Sequence, residues 1–145
     1  MTHWHLRRAT AADATALAAC IDAAYAHYAA RISDLPAVSE GIGDEIAAHR
    51  VWLCEMDGKI AGGIVLVPKD GHLLLVNVAV HPDFAGKGLG GALMAQANTD
   101  YRALGLAEVR LSTHVKLPEN VALYAHLGWE ETGREGNKMH MRKQL

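Results

Sequence analysis

From position 80 the chain reads Val80-His81-Pro82-Asp83-Phe84-Ala85-Gly86-Lys87-Gly88-Leu89-Gly90-Gly91-Ala92-Leu93: the end of an apolar run, a proline turn, four glycines within six residues, and the opening of an amphipathic helix. That order is a strand, a glycine-rich loop and a helix N-terminus. Such an N-terminus leaves backbone N–H groups unpaired and carries the positive end of the helix dipole, and missing Cβ atoms let a phosphate come close. The stretch is read as an anion site, with Lys87 a mobile cation over it. Further on, Asn120 and Tyr124 stand one helical turn apart in Asn120-Val121-Ala122-Leu123-Tyr124, which puts an amide and a phenol on one helix face.

Positioning these groups needs a sheet. Residues 4–8 read as a first strand, and Thr10 with Asp13 resembles a capping box that opens a helix running to about residue 30. Leu17, Cys20, Ile21, Ala24, Tyr25 and Tyr28 form its apolar stripe. Residues 32–43 hold Ser33, Pro36, Ser39 and two glycines and read as a loop that would wall or cover a site, with a short helix over 44–49 after it. Strands over 51–56 and 59–67 flank Asp57-Gly58, a strong hairpin signal. After a turn at 68–71, residues 73–80 make a nearly unbroken apolar strand, as at the centre of a sheet covered on both faces, with Asn77 the single interruption. The helix from about Gly88 carries Leu89, Leu93, Ala97, Tyr101 and Leu104, and Gly105 stops it. A strand over 109–114, a helix from Pro118 to Gly128, and strands over 129–134 and 138–142 complete the order β-α-α-β-β-β-α-β-α-β-β. This is a mixed α/β domain spanning 1–145, with helices on both faces of the sheet and one crossover pair flanking the glycine loop.

Three phosphate-binding designs compete for the loop. A Walker A loop needs a hydroxyl after its lysine, and Gly88 follows Lys87, so that design fails. Gly86, Gly88 and Gly91 satisfy the dinucleotide pattern G-x-G-x-x-G, and Glu108 lies about the right distance onward. Against it, five residues including Pro82 separate loop from strand, and too little chain remains for a second half. The third design fits better. The segment resembles the acetyl-CoA loop of the GNAT superfamily of N-acetyltransferases, Arg/Gln-x-x-Gly-x-Gly/Ala after a strand ending in V-x-P, here Val80-His81-Pro82 and Gly88-Leu89-Gly90. Ala85 stands where Arg or Gln is usual. A second GNAT-like segment follows in residues 120–129, from Asn120 through Leu123-Tyr124 to Gly128-Trp129, and the element order resembles the family over essentially the whole chain.

The resemblance implies a mostly antiparallel sheet and acetyl-CoA as donor co-substrate. It places the CoA pyrophosphate on the backbone of Gly86, Lys87, Gly88, Leu89, Gly90 and Gly91, with the pantetheine arm along Val78, Ala79 and Val80 and held by Asn120. It makes the Val78 N–H the group that polarises the thioester carbonyl, and Tyr124 the acid for the departing thiolate. Asn120 as a plain helix-start residue and Tyr124 as plain core remain the alternative readings. Many GNAT enzymes carry a glutamate base on the strand before the loop, and this one reads Leu73-Leu74-Leu75-Val76-Asn77-Val78-Ala79-Val80 without a carboxylate. No base is assigned; His72, His81, His114 and Glu45 are candidate relays, and Asn77 could orient a water. On the acceptor side stand Tyr25, Tyr28 and Arg31 near the end of the first helix, and His114 on the loop opposite.

Composition narrows the classes further. In 145 residues the formal charge is -2, with no basic stripe of the kind nucleic-acid binding demands. No signal-like N-terminus and no apolar run of membrane-spanning length is present, so a cytoplasmic protein is expected. Cys20 and Cys54 sit in apolar patterns and read as buried reduced thiols, and no metal motif is present. The leading expectation is an N-acetyltransferase acting on a primary amine of unidentified kind. The alternative is an acyl-CoA-binding sensor without turnover. A homodimer would suit so small a domain, and the sequence marks no interface.

Overall fold

The structure is a computed structural model that describes residues 4–29 and 41–144, the side chains of 27–29 and 119 excepted. Arg31, the Tyr28 side chain and most of the loop expected over 32–43 therefore lie outside the described residues. Elements follow the order β1 (Trp4–Arg8), α1 (Ala14–Ala29), α2 (Ile42–Ala48), β2 (Arg50–Met56), β3 (Lys59–Pro68), β4 (His72–Val80), α3 (Leu89–Ala103), β5 (Glu108–His114), α4 (Pro118–His126), β6 (Glu130–Glu135) and β7 (Lys138–Gln144). Short 3-10 turns precede α1 at Ala11–Asp13 and α3 at Pro82–Phe84. The second helix begins two residues earlier than its pattern predicts, because Ile42 is buried and anchors it.

Local chemistry explains most boundaries. Asp57 and Gly58 both have positive φ, 53° and 75°, the geometry that suits the twist of a two-residue hairpin, and β2 and β3 pair across it. At the start of α1 the Asp13 carboxylate accepts from the Thr10 N–H at 2.7 Å and grips Arg7 with both oxygens at 2.8 Å. Arg7 also donates to Glu55 at 2.7 and 3.0 Å, so one guanidinium ties β1, β2 and the helix entry together. That guanidinium holds the Asp13 carboxyl well below the usual carboxylate range.

Among the described residues, seven strands form one sheet in the order β1-β2-β3-β4-β5-β7-β6, and every pairing is antiparallel except β4 with β5. The larger core lies between the sheet and α3 with α4, and includes Ile64, Leu73, Leu93, Tyr101, Leu111 and Trp129. The smaller core joins Leu17 and Ile21 of α1 and Ile42 of α2 to Val51, Val65 and Ala79. Full burial of one such aliphatic side chain contributes roughly 1.5–3 kcal/mol. On the second face α1 and α2 lie over β2, β3 and β4, whereas Arg110 and Ser112 of β5 are exposed. At Gly62 of β3 a Cβ would stand 2.7 Å from the Ala79 carbonyl oxygen, so β3 and β4 approach only because this residue has none.

Cys20 and Cys54 are buried and unpaired with each other, and burial pushes both thiols up to about 11. Among the described residues no helix is long and apolar enough to cross a membrane. Leu104, expected on the apolar stripe of α3, is instead 40% exposed because it caps the helix rather than continuing it.

One buried group has no apolar pattern to announce it. Asp100 on α3 is 2% exposed and accepts hydrogen bonds from Arg50 at 3.0 Å, Trp52 at 2.8 Å and Gln96 at 2.9 Å. It fastens α3 to β2. Replacing Asp100 by Ala strands three donors, and we expect a loss of about 3 kcal/mol, read as a Tm lowered by roughly 6–12 °C in thermal denaturation. Asp100→Asn, which keeps an acceptor, should lose less.

Candidate functional site

The parallel pair β4–β5 is hydrogen-bonded only from His72 opposite Glu108 to Leu75 opposite Leu111. Past that rung the strands part. Immediately beyond Leu75, the register with β3 shifts: Leu75 pairs with Leu66 and Asn77 with Val65, leaving Val76 without an opposite residue. A bulge of this kind bends a strand and reverses which face its side chains take. Accordingly Leu73 and Leu75 enter the core under α3, while Ala79, of the same parity, enters the core under α1. Val76 itself is 50% exposed, so the strand expected to be covered on both faces is open at this residue.

Two cavities meet at the parting. One, of about 410 Å³, runs past Val78, Ala79 and Val80 to Gly90, Gly91 and Met94. The other, of about 380 Å³, is lined by Asn77, Ser112, His114, Glu135 and Lys138 among others. Tyr25, Val78, Asn120 and Tyr124 line both and form the passage between them.

The first cavity ends at the glycine loop. Gly86 and Gly88 have φ of 78° and 81°, a left-handed backbone that side chains resist, and Gly88 is the N-cap of α3. A Cβ at Gly86, Gly88 or Gly91 would meet nothing within 4 Å, so no protein group crowds the side-chain side of these glycines. Leu89 points the other way, 1% exposed in the core, and can offer only its backbone. Lys87 and Ala85 are exposed at the rim. A helix N-terminus preceded by left-handed glycines is a backbone geometry that can receive an anion.

At the passage, Tyr124 is 8% exposed and packs on Trp129, ring centroids 5.9 Å apart. The Tyr25 hydroxyl, donated from α1, lies 3.3 Å from both Asn77 Oδ1 and the Val78 carbonyl oxygen, and so fixes the strand just past its bulge. Tyr25 and Asn77 therefore meet, as residues of two distant segments, at the expected acceptor side.

The candidate relays separate. His114 lines the acceptor cavity, but its Nδ1 accepts from the Lys116 N–H at 3.0 Å. A neutral ring so held carries its hydrogen on Nε2 and presents a donor rather than a base. His81 accepts from the Asp83 N–H at 3.1 Å and lines a different cavity with Arg7, Asp13 and Glu55. His72 stands at the opposite end of β4 from the parting, and Glu45 lies 3.7 Å from His49 on α2. Glu108, the ribose-binding candidate of the dinucleotide reading, is buried against Arg110 at 2.6 Å, and that guanidinium lowers its carboxyl. It begins β5 and serves the sheet. Sequence reasoning missed Ser112, Glu135, Asn137 and Lys138 in the acceptor cavity. Ser112 shares the face of His114 two residues along β5, a period-2 signal that was available, whereas Glu135, Asn137 and Lys138 arrive because β7 inserts between β5 and β6, pairing His114 with Lys138.

Comparison with known proteins decides the family. The pattern described as Acetyltransferase (GNAT) domain matches residues 47–131, which include β4, the glycine loop and α4. The chain belongs to the GNAT acetyltransferase family. It is similar to the uncharacterized N-acetyltransferase YjgM of Escherichia coli, 30% identical over 135 residues that cover 86% of this chain and 81% of that one. A 92-residue segment is 39% identical to the mycothiol acetyltransferase of Nocardia farcinica, covering 63% of this chain and 29% of that protein. In fold it matches the PaiA N-acetyltransferase of Thermoplasma acidophilum, solved in complex with coenzyme A, with a TM-score of 0.88 at 18% identity and 99% of each chain covered. Acetyl-CoA is accordingly the donor of this GNAT acetyltransferase. No group of three or more metal-ligating side chains is gathered among the described residues.

Because Gly88 needs positive φ and caps α3 at the glycine loop, Gly88→Val should raise the KM for acetyl-CoA about tenfold, and the left-handed backbone should cost a further ~1–2 kcal/mol of stability. Calorimetric titration with CoA and thermal denaturation check the two parts separately.

Proposed function

We propose that residues 1–145 form a single N-acetyltransferase domain that moves the acetyl group of acetyl-CoA directly to a primary amine, on a small molecule or a peptide, within a ternary complex. The observation that carries this reading is the parting of β4 and β5, whose two cavities join at Tyr25, Val78, Asn120 and Tyr124. A donor entering from the glycine loop and an amine entering from the Asn77 side would meet there. The thioester supplies an activated acetyl carbon; the remaining work falls to the chain.

In this mechanism the N–H groups of 86–91, with Lys87 above them, hold the pyrophosphate. The backbone of Val78, Ala79 and Val80 aligns the pantetheine arm as an added strand, and Asn120 bonds it from the facing helix. The Val78 N–H polarises the thioester carbonyl, and Tyr25 steadies that segment through the Val78 carbonyl. Tyr124 gives its proton to the leaving sulfur, from a buried position next to Asn120 on the same helix face. Tyr25, Asn77 and His114 form the near wall of the acceptor cavity. Two buried reduced thiols suit the reducing cytoplasm, which we propose as its setting.

Thiol release from acetyl-CoA, followed with a chromogenic disulfide across polyamines, amino-acid amides and short peptides, tests the activity. We expect release with at least one of these amines; binding of acetyl-CoA without release on any would instead favour a sensor. With the active amine, Tyr124→Phe should lower kcat tenfold or more and leave CoA affinity unchanged. Wild-type turnover in that variant would remove the acid role.

A further inference from the structure

On the described face of β5, β7 and β6 that α1 and α2 leave uncovered, three polar side chains from three strands stand in line. Ser112 of β5 lies opposite His140 of β7, with Oγ 2.7 Å from Nδ1, and His140 Nε2 lies 3.7 Å from Glu135 Oε2 of β6. Ser112 and Glu135 both line the acceptor cavity with Asn77, His114 and Tyr124, whereas His140 sits behind them in an adjoining cavity that Ser112 also borders. The order is hydroxyl, imidazole, carboxylate, with the hydroxyl at the cavity and the carboxylate 85% exposed to solvent. From this arrangement we infer that Ser112, His140 and Glu135 form the proton exit for the acceptor amine, supplying the base that β4 lacks. The inference rests on the acetyltransferase reading of the same cavity.

An alkylammonium has a pKa near 10.4 and must lose a proton before its electron pair can attack. One N–H proton of the ammonium passes to Ser112 Oγ as the Ser112 hydroxyl proton passes to His140 Nδ1. The imidazolium so formed turns its Nε2–H toward the Glu135 carboxylate, which lowers its charge cost. The freed electron pair makes the C–N bond, the C–S bond breaks, and Tyr124 protonates the sulfur. The second N–H proton, lost as the amide forms, balances the one Tyr124 gives. The proton held by His140 leaves to solvent past Glu135, so one proton is released per acetyl group transferred.

The charged groups around His140 are mostly cationic. Lys138 and Arg142 flank it along β7, Arg110 and His114 flank Ser112 on β5, and His72 of β4 and Glu135 of β6 border the same surface. Arg110 is paired with Glu108 and Arg142 with Glu130, at 2.6 Å each, so those two charges are engaged elsewhere. The geometry asks for one tautomer only. Ser112 can give its proton to Nδ1 only if the neutral ring carries its hydrogen on Nε2.

Two measurements test the inference. Nitrogen-15 NMR of the wild-type protein should show neutral His140 with its hydrogen on Nε2; the Nδ1–H tautomer overturns the relay whatever the enzyme's activity. With the amine that gives wild-type thiol release, His140→Gln and Ser112→Ala should each lower kcat/KM for the amine 10- to 100-fold at pH 7. That deficit should shrink to within threefold at pH 9.5, where more of the amine arrives neutral, and the KM for acetyl-CoA should not change. Glu135→Gln should lose only two- to threefold. An unaltered kcat/KM and pH profile in His140→Gln sinks the relay alone. Absence of wild-type release on every amine sinks the acetyltransferase reading, and the relay with it.

Discussion

The feature on which the rest of the molecule turns is the loss of pairing between β4 and β5 after Leu75 and Leu111. A parallel pair needs a crossover, and here the crossover is α3, which delivers its N-terminus beside the carboxyl end of β4. Ligands of open α/β sheets gather outside the carboxyl ends of parallel strands for this reason. The extra residue at Val76 then swings the end of β4 away from β5 and aims Asn77 and Val78 into the gap. Without that departure the two cavities would be closed by ladder hydrogen bonds.

The parting also sorts the chemistry by face. Toward α3 and α4 the gap is lined by glycines, Met94 and Leu123, so an arm of mixed polarity can lie there against backbone and apolar surface. Toward the other face the lining is Asn77, Ser112, His114, Glu135 and Lys138, a set that can exchange protons and discriminate charge. The two cavities thus differ in the charged and titratable groups they hold. Tyr124 and Tyr25, one from each side of the sheet, stand where they join.

Much of this was legible in the chain because it is written locally. Asp57-Gly58 specified its turn through backbone sterics, and the glycines at 86 and 88 announced left-handed residues ahead of a helix. Asn120 and Tyr124 declared a shared face through a one-turn spacing, and the cavities confirm that both line the passage. What stayed hidden depends on which strands become neighbours. The insertion of β7 between β5 and β6 brings Glu135 and Lys138 to the acceptor cavity, and no spacing along the chain encodes it. The Val76 bulge is equally silent, since an apolar run reads the same with or without a register shift. Nothing in the sequence marks Asp100, because the donors that make its burial tolerable lie 48 and 50 residues away on β2.

The anchoring of Asp100 carries one more implication. It sits near the C-terminal end of the same helix that the glycine loop opens, and its bonds to Arg50 and Trp52 pin that helix to a strand of the sheet. A helix held in this way cannot slide or tilt freely when an anion settles on its other end. Any ligand of the glycine loop would therefore meet a helix already held in place, with little of its binding spent on ordering it.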